Sequence, residues 1–105
     1  MNNHKKESYA LASVHTSFDE FKQGIEALKT NHLVLEVSEN LNIDEAIISL
    51  FLELATAFKQ NGMSFVVVKS GIDIDDFPET LNIVPTLQEA EDVLEMEAIE
   101  RDLGF

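Results

Sequence analysis

One group of side chains that could do chemistry is the acidic segment at residues 73–76, Asp-Ile-Asp-Asp, within a polar loop over residues 71–80. Carboxylate oxygens at positions i and i+2 suit hard cations such as Ca²⁺ and Mg²⁺. The segment lacks the central glycine and the distal glutamate of a calcium-binding loop. It therefore favours a solvated acidic turn over a metal site.

The three histidines, His4, His15 and His32, are the other candidate metal ligands. None has a second ligand at i+4, as on one face of a helix, or at i+2, as on one face of a strand. Only His15 and His32, at a strand end and a strand start, could meet at one edge of a sheet. The spacing favours ordinary polar residues at strand ends, so we expect no metal and no other cofactor.

Motifs for nucleophilic or phosphate chemistry are absent from the sequence. With four glycines in all, the chain has no G-x-S-x-G elbow, no P-loop and no G-x-G-x-x-G turn. It has no cysteine, which excludes disulfides, thiolate metal sites and a cysteine nucleophile. The sequence therefore predicts a protein that is not an enzyme and has no catalytic residues.

The charge balance limits the partners. Twenty acidic against seven basic residues give a formal charge of −13. Because Lys and Arg displace the counterions of nucleic-acid phosphates and bind anionic membrane surfaces, we expect neither partner here. The charge either keeps the protein soluble or offers an acidic face to a basic protein partner. The start, MNNHKKES, has no apolar signal region, and we expect a cytoplasmic protein.

The apolar pattern alternates strands with helices. Strands are predicted at residues 9–14, 33–37, 64–69 and 81–84. Helices follow three capping signals, Ser17–Glu20, Asn42–Glu45 and Thr86–Glu89. This order predicts a single α/β domain with a small, mostly parallel four-stranded sheet and three main helices. Residues 1–7 are expected to be a disordered lead-in, and residues 95–105 a C-terminal helical tail.

The stretch from Leu33 to Leu94 resembles the STAS family, the domain of anti-sigma-factor antagonists and sulphate-transporter tails. The family pattern is an apolar strand, a short turn, I-D-S-S-G-L opening a helix, a glycine-bounded apolar strand, and a short strand before a T-x-x-E-A helix. The corresponding segments here are residues 33–37, 43–48, 62–68 and 83–90. The resemblance implies a regulatory protein-binding module whose N-terminal hairpin is reduced to one strand.

The family's phosphorylated turn is altered in this chain. Its phosphoacceptor serine falls on Ala46, and the residue before that serine falls on Glu45. The resemblance therefore implies a partner-binding surface without the phosphoswitch, formed by Asp44, Glu45, Ala46, Ile48 and Ser49. Glu45 either supplies a permanent negative charge in place of phosphate or serves only in a capping box.

Two other functions stay open. Short STAS-like chains of Bacteroidetes resemble this one in their ending, E-x-E-x-I-E-R-D-L-G-F, and sometimes carry the name ribonuclease Z. Because this chain lacks the H-x-H-x-D-H cluster of such a nuclease, this resemblance implies an accessory partner of a tRNA-processing enzyme. The other function is a small-ligand domain that uses the crevice at the carboxyl ends of the parallel strands.

The last helix carries two apolar stripes. The first consists of Leu87, Ala90 and Leu94, and the second of Met96, Ile99, Leu103 and Phe105. At about 100° per residue, Met96 lies about 200° from Leu94, so one straight helix cannot bury both stripes on one surface. Either the helix bends and packs on its own domain, or the second stripe faces a partner. We favour a protein partner, which includes a second copy of the chain.

We predict that salt stabilises the isolated protein. Between about 0.01 M and about 0.15 M ionic strength, the screening length falls from about 30 Å to about 8 Å. Screening weakens the repulsion within a compact chain of net charge −13. The melting temperature, followed by circular dichroism, should rise by a few degrees over this range. An unchanged or lower melting temperature would contradict the prediction.

Overall fold

The computed structural model describes residues 9–15, 17–28 and 31–104. The predicted lead-in, His4 and Phe105 lie outside these residues. The main elements in chain order are β1 (Tyr9–Val14), α1 (Asp19–Leu28), β2 (His32–Val37), α2 (Glu45–Gln60), β3 (Phe65–Val68), β4 (Ile83–Val84) and α3 (Leu87–Asp102). A single 3₁₀ turn, Ile74–Asp76, lies between β3 and β4.

The strands form one sheet in the order β1-β2-β3-β4, and every pair is parallel. Since each strand lies beside the next one in the chain, the crossovers all proceed in one direction across the sheet. Right-handed crossovers then place α1 and α2 on the same face. The predicted α/β class, with a four-stranded parallel sheet and three helices, is confirmed.

An aromatic cluster holds α1 and α2 against the sheet. Phe51 and Phe58 of α2 are completely buried. Their rings lie 5.9 Å and 5.4 Å from the ring of Phe65 in β3, measured between centroids. Phe18, directly before α1, meets Phe51 edge-on at 5.7 Å. Ring contacts of this geometry stabilise the core beyond the burial of the four rings. They also fix the positions of both helices.

The opposite face of the sheet carries α3. Ala90 and Leu94 are buried there and pack with Val34, Val66 and Val68 of the two central strands. Because Ala90 presents only a methyl group, the helix lies close to the strands. Its contacts fall chiefly on β2, β3 and β4. The central strands are therefore covered on both faces, which explains their continuous apolar sequences.

The start of α2 differs from the prediction. Asp44, and not Asn42, is the N-cap, and its Oδ1 accepts a hydrogen bond of 3.0 Å from the Ile47 amide. The prediction of Asn42 as the cap was wrong, because Ile43 and Ile47 pack against the core and set the helix start two residues later. Glu45 is then the first helical residue and cannot act as the third residue of a capping box.

The capping signals of the other two helices have different outcomes. Thr86 caps α3 as predicted: its Oγ1 accepts from the Glu89 amide at 3.2 Å and donates to the Glu89 carboxylate at 2.8 Å. At α1 the helix begins at Asp19, and Ser17 Oγ accepts only from the Asp19 amide, at 3.4 Å. The reciprocal box predicted there is not formed, because Phe18 turns into the core before the helix starts.

We predict that Asp44→Ala lowers the free energy of unfolding by about 1 kcal/mol, the usual cost of losing an N-cap side chain. Asn42→Ala is the matched control, because Asn42 is exposed and precedes the helix; it should change that free energy by less than about 0.5 kcal/mol. Urea denaturation of both variants measures the difference. A larger loss for Asn42→Ala would mean that Asn42 caps the helix after all.

Candidate functional site

The start of α2 lies at the carboxyl edge of the sheet, because the helix follows the end of β2. The turn before it is held by Lys69, whose Nζ donates to the carbonyl of Glu39 at 3.0 Å. Lys69 comes directly after β3, so this contact ties the turn to the central strands. The predicted partner-binding residues therefore stand on an anchored helix end.

These residues differ in what they offer to a partner. Glu45, Ala46 and Ser49 are exposed, and Ile48 is half-buried. Asp44 is exposed too, but its carboxylate is engaged with the Ile47 amide. Ala46 presents a methyl group where the STAS pattern has a hydroxyl. The surface is acidic and small, and it brings together all five residues predicted for the α2 start.

The second predicted surface is the outer stripe of α3, which we define as Met96, Ile99 and Leu103. Their side chains are 61%, 54% and 65% exposed. The helix runs unbroken from Leu87 to Asp102, so the chain does not bend back to bury them. Packing of these three side chains on their own domain is therefore not observed, and contact of the stripe with a partner stays a prediction.

The two predicted surfaces lie far apart on the molecule. The start of α2 is on the α1–α2 face of the sheet, at its carboxyl edge. α3 lies on the other face and runs back towards the amino edge, where Glu97 contacts Ser64 just before β3. The outer stripe therefore occupies the opposite face and the opposite end of the domain.

A polar cluster holds the second half of α3 at the amino edge. Ser64 is buried, and its hydroxyl donates to Glu97 Oε1 while it accepts from Arg101 Nη1 at 3.1 Å. Asn82 Nδ2 donates to the other oxygen of Glu97 at 2.8 Å. The Ser64 amide donates to Nδ1 of His32 at 2.9 Å, which requires that nitrogen to be unprotonated. The cluster joins β2, the residues directly before β3 and β4, and α3.

The sequence reasoning missed this cluster. The docking stripe Ala90 and Leu94 continues at spacings of three and four to Glu97 and Arg101. Polar residues in such positions are usually taken for a solvated face, so the stripe seemed to end at Leu94. The unbroken spacing was the signal that could have revealed it.

Tyr9 and Glu91 connect β1 to α3 at 2.9 Å between the phenol oxygen and Oε2. Burial is the main cause that raises the pKa of the Tyr9 phenol, and the hydrogen bond and negative charge of Glu91 and the charge of Glu36 add to it. The phenol therefore remains a donor well into alkaline solution. Because the raised pKa belongs to the folded state, the contribution of this contact to stability is fully present below the ordinary phenol pKa of 10.0 and is lost as the pH rises from there through the raised pKa.

His15 and His32 do not form a site. His15 follows the carboxyl end of β1, whereas His32 opens β2 and pairs with Tyr9 at the amino end of β1. The suggestion that His15 and His32 could meet at one edge was wrong, because the end of one parallel strand and the start of the next lie at opposite edges. Within residues 9–15, 17–28 and 31–104, no group of three or more His, Asp or Glu side chains is arranged to hold a metal ion.

Grooves open beside both outer strands of the sheet, β1 and β4. One of about 900 Å³ lies between the second halves of α2 and α3, beside Phe65 and Asn82. Two smaller grooves, of about 430 Å³ and about 310 Å³, adjoin β1 on its two faces. The crevice predicted for a small ligand belongs to the carboxyl edge. The groove beside His15 reaches that edge, and the groove of about 430 Å³ includes Leu87 and Gln88 at the start of α3, directly after β4.

Comparison with known proteins leaves the family open. No protein family, no curated protein and no solved structure matches this chain. The STAS resemblance therefore stays a prediction. In the part of the chain that the structure describes, no helix has the length and apolar character needed to cross a membrane.

We predict that Ser64→Ala lowers the free energy of unfolding by about 1–3 kcal/mol, because it removes a partner from two charged groups in the polar cluster. The matched control is Thr56→Ala, which removes an exposed hydroxyl bonded only to the Leu52 carbonyl. The control should change that free energy by less than about 0.5 kcal/mol. If the two substitutions lower the free energy of unfolding equally in urea denaturation, the cluster does not hold α3 on the sheet.

Proposed function

We propose that the protein is a non-catalytic, STAS-like regulatory module of the bacterial cytoplasm that binds another protein. The observation that carries this proposal is the outer stripe of α3. Three large apolar side chains at helical spacing project from a rigid, well-anchored helix, each more than half exposed. Helices of this kind bind by laying their apolar face into a groove of a partner.

The rigidity of α3 makes its outer stripe suited to binding. Leu94 and the polar cluster of Ser64, Asn82, Glu97 and Arg101 fix the opposite side of the same helix. A partner therefore meets a helix that is already formed, and ordering it costs little. An isolated amphipathic peptide would first have to fold.

Charge selects the kind of partner. Exposed acidic side chains surround the outer stripe: Glu95 and Asp102 lie on one side of it, Glu100 lies on the other, and Asp92 lies one turn before Met96. A partner with an apolar groove and a rim of Lys and Arg would match this pattern. A second copy would bring the same acids together in a chain of net charge −13, so the pattern favours a different protein.

The start of α2 is the second candidate surface, and the STAS resemblance favours it. The strand, turn and helix that the resemblance requires at residues 33–48 are present as β2, its following turn and the first turn of α2. Glu45, Ala46 and Ser49 are exposed there. Because this surface and the outer stripe lie on opposite faces, substitutions can test them separately.

We predict that Ile99→Lys weakens partner binding by at least about tenfold and leaves the melting temperature within a few degrees, because the residue is exposed at an apolar contact. Ile74→Lys is the matched control. Ile74 is 52% exposed against 54% for Ile99, and it lies in the loop over residues 71–80. The measurement is affinity capture from the native organism, identification of the captured protein, and titration of that purified protein against each variant.

The same titration includes the double variant Asp44→Lys with Glu45→Lys. If only this variant loses binding, the partner contacts the start of α2 and the outer stripe is not the surface. If neither variant loses binding while both stay folded, the proposal is wrong. If the captured protein is a tRNA-processing nuclease whose activity depends on this chain, the function is that of an accessory partner and not that of a regulator. Self-association removed by Ile99→Lys would make the partner a second copy.

A further inference from the structure

We infer, on the basis of the proposed function, that the partner contacts the outer stripe of α3 with one amphipathic helix of its own. The two helices pack as in a two-stranded coiled coil, and the partner helix carries Lys or Arg beside its apolar residues. The proposed function requires only an apolar groove with a basic rim. The spacing and the charges of α3 specify that groove as the surface of a single helix.

The apolar residues of the outer stripe have the spacing of a coiled-coil seam. Met96, Ile99 and Leu103 follow one another at intervals of three and four residues, which are positions a, d and a of a heptad. At about 100° per residue, the three side chains lie within about 60° of the helix circumference. A helix face that packs on a broad apolar surface is wider, at about 100° or more. The narrow stripe therefore fits one partner helix.

Acidic residues occupy the positions that flank this seam. Glu95 and Asp102 fall on heptad position g, and Glu100 falls on position e. All three side chains are exposed. In two-stranded coiled coils, charges at e and g pair with charges of the facing helix and so decide which helices associate. Three acids at these positions favour a partner helix whose own e and g positions are basic.

The flanking carboxylates are available to a partner. Within the part of the chain that the structure describes, Glu95, Glu100 and Asp102 take part in no hydrogen bond or ion pair through their side chains. The acid that anchors α3 to the sheet is Glu97, which lies on the opposite side of the helix and bonds to Ser64. Pairing of the outer acids with Lys or Arg therefore breaks no contact of the domain.

Both ends of the seam are defined. α3 ends at Asp102, and Gly104 has a φ of +82°, so the chain leaves the helix directly after Leu103. At the other end, the seam position before Met96 is Asp92, which is exposed. A basic residue of the partner helix that faces Asp92 sets the register, as single polar residues in a seam do. Because only three apolar residues take part, we expect a weak and reversible complex.

A second copy of α3 does not match these positions. In a parallel pair, position g of one helix faces position e of the other, which would bring Glu95 against Glu100. In an antiparallel pair, equivalent positions face each other, so Glu100 would meet Glu100. Like charges at such distances destabilise a helix pair. The occupant is therefore a helix of a different protein.

The test uses the full chain and a synthetic peptide of about 21 residues, or three heptads, with Leu at a and d, Lys at e and g, and Ala or Gln elsewhere. Calorimetric titration measures its affinity, and circular dichroism measures the helix gained on binding. We expect saturable binding with a gain of helix. The same peptide with Pro at its central f position keeps every contacting residue but cannot form one straight helix. It should bind at least about tenfold more weakly.

Charge reversal tests the flanking positions. Glu95→Lys with Glu100→Lys should weaken binding of the Lys peptide by at least about tenfold and create binding of a peptide with Glu at e and g. Asp75→Lys with Glu79→Lys is the matched control, because these acids are also exposed and the change of net charge is the same. The control should keep the preference for the Lys peptide. If the reversed variant unfolds, Glu95→Gln with Glu100→Gln takes its place and should reduce that preference.

Other results would overturn the inference. These are absence of binding, equal affinity for the Lys and Glu peptides, undiminished binding of the Pro peptide, or binding of the Lys peptide that Ile99→Lys does not weaken. A dimer of the chain alone that Ile99→Lys dissociates would show that a second copy occupies the seam.

Failure of the proposed function is a separate result. If the protein captured from the native organism requires Ile99 but the Lys peptide does not bind, partner binding through the outer stripe stands and the helical occupant is wrong. If that captured protein binds the folded Ile99→Lys variant normally, the outer stripe is not its surface, and both the stripe and its occupant are wrong.

Discussion

The need to cover both faces of β2 and β3 is the constraint on which the rest of the structure depends. Val34 and Val66 on one face, and Leu35 and Val67 on the other, are completely buried. Right-handed crossovers put α1 and α2 on one face and leave the other to α3. One helix is about 10 Å wide and cannot cover four strands, so Leu11 on the α3 face of β1 stays half exposed. The surface proposed for binding on α3 follows from how this single helix is placed.

The straightness of α3 has a physical cause in its polar residues. Glu97 and Arg101 extend the docking stripe beyond Leu94, and Ser64 and Asn82 receive them at the amino edge of the sheet. Without those partners, the second half of the helix would have to turn its apolar residues inward or leave the surface. The partly buried hydrogen bonds on one side of the helix therefore account for the exposed apolar side chains on the other.

The fold could be predicted from the sequence because its signals are local. The bounds of β1 agree with the prediction, and β2 begins only one residue earlier, at His32. The start of α2 was missed because Asn42 and Asp44 are both good caps, and packing of Ile43 and Ile47 decides between them. The polar cluster could not be predicted from local signals, since its members come from separate segments of the chain. The outward stripe was one of two predicted outcomes, but its partner depends on another molecule's surface.

The order of the strands also governs how the protein folds during synthesis. Because each strand pairs with the one made just before it, the sheet can grow from β1 towards β4 as the chain leaves the ribosome. The face of Val34 and Val66, however, is closed only by α3, which is made after all four strands. Until that helix packs, the side chains of Val34 and Val66 stay uncovered on this face of the sheet. In the order of synthesis, the second face is therefore the last part of the described domain that can be buried.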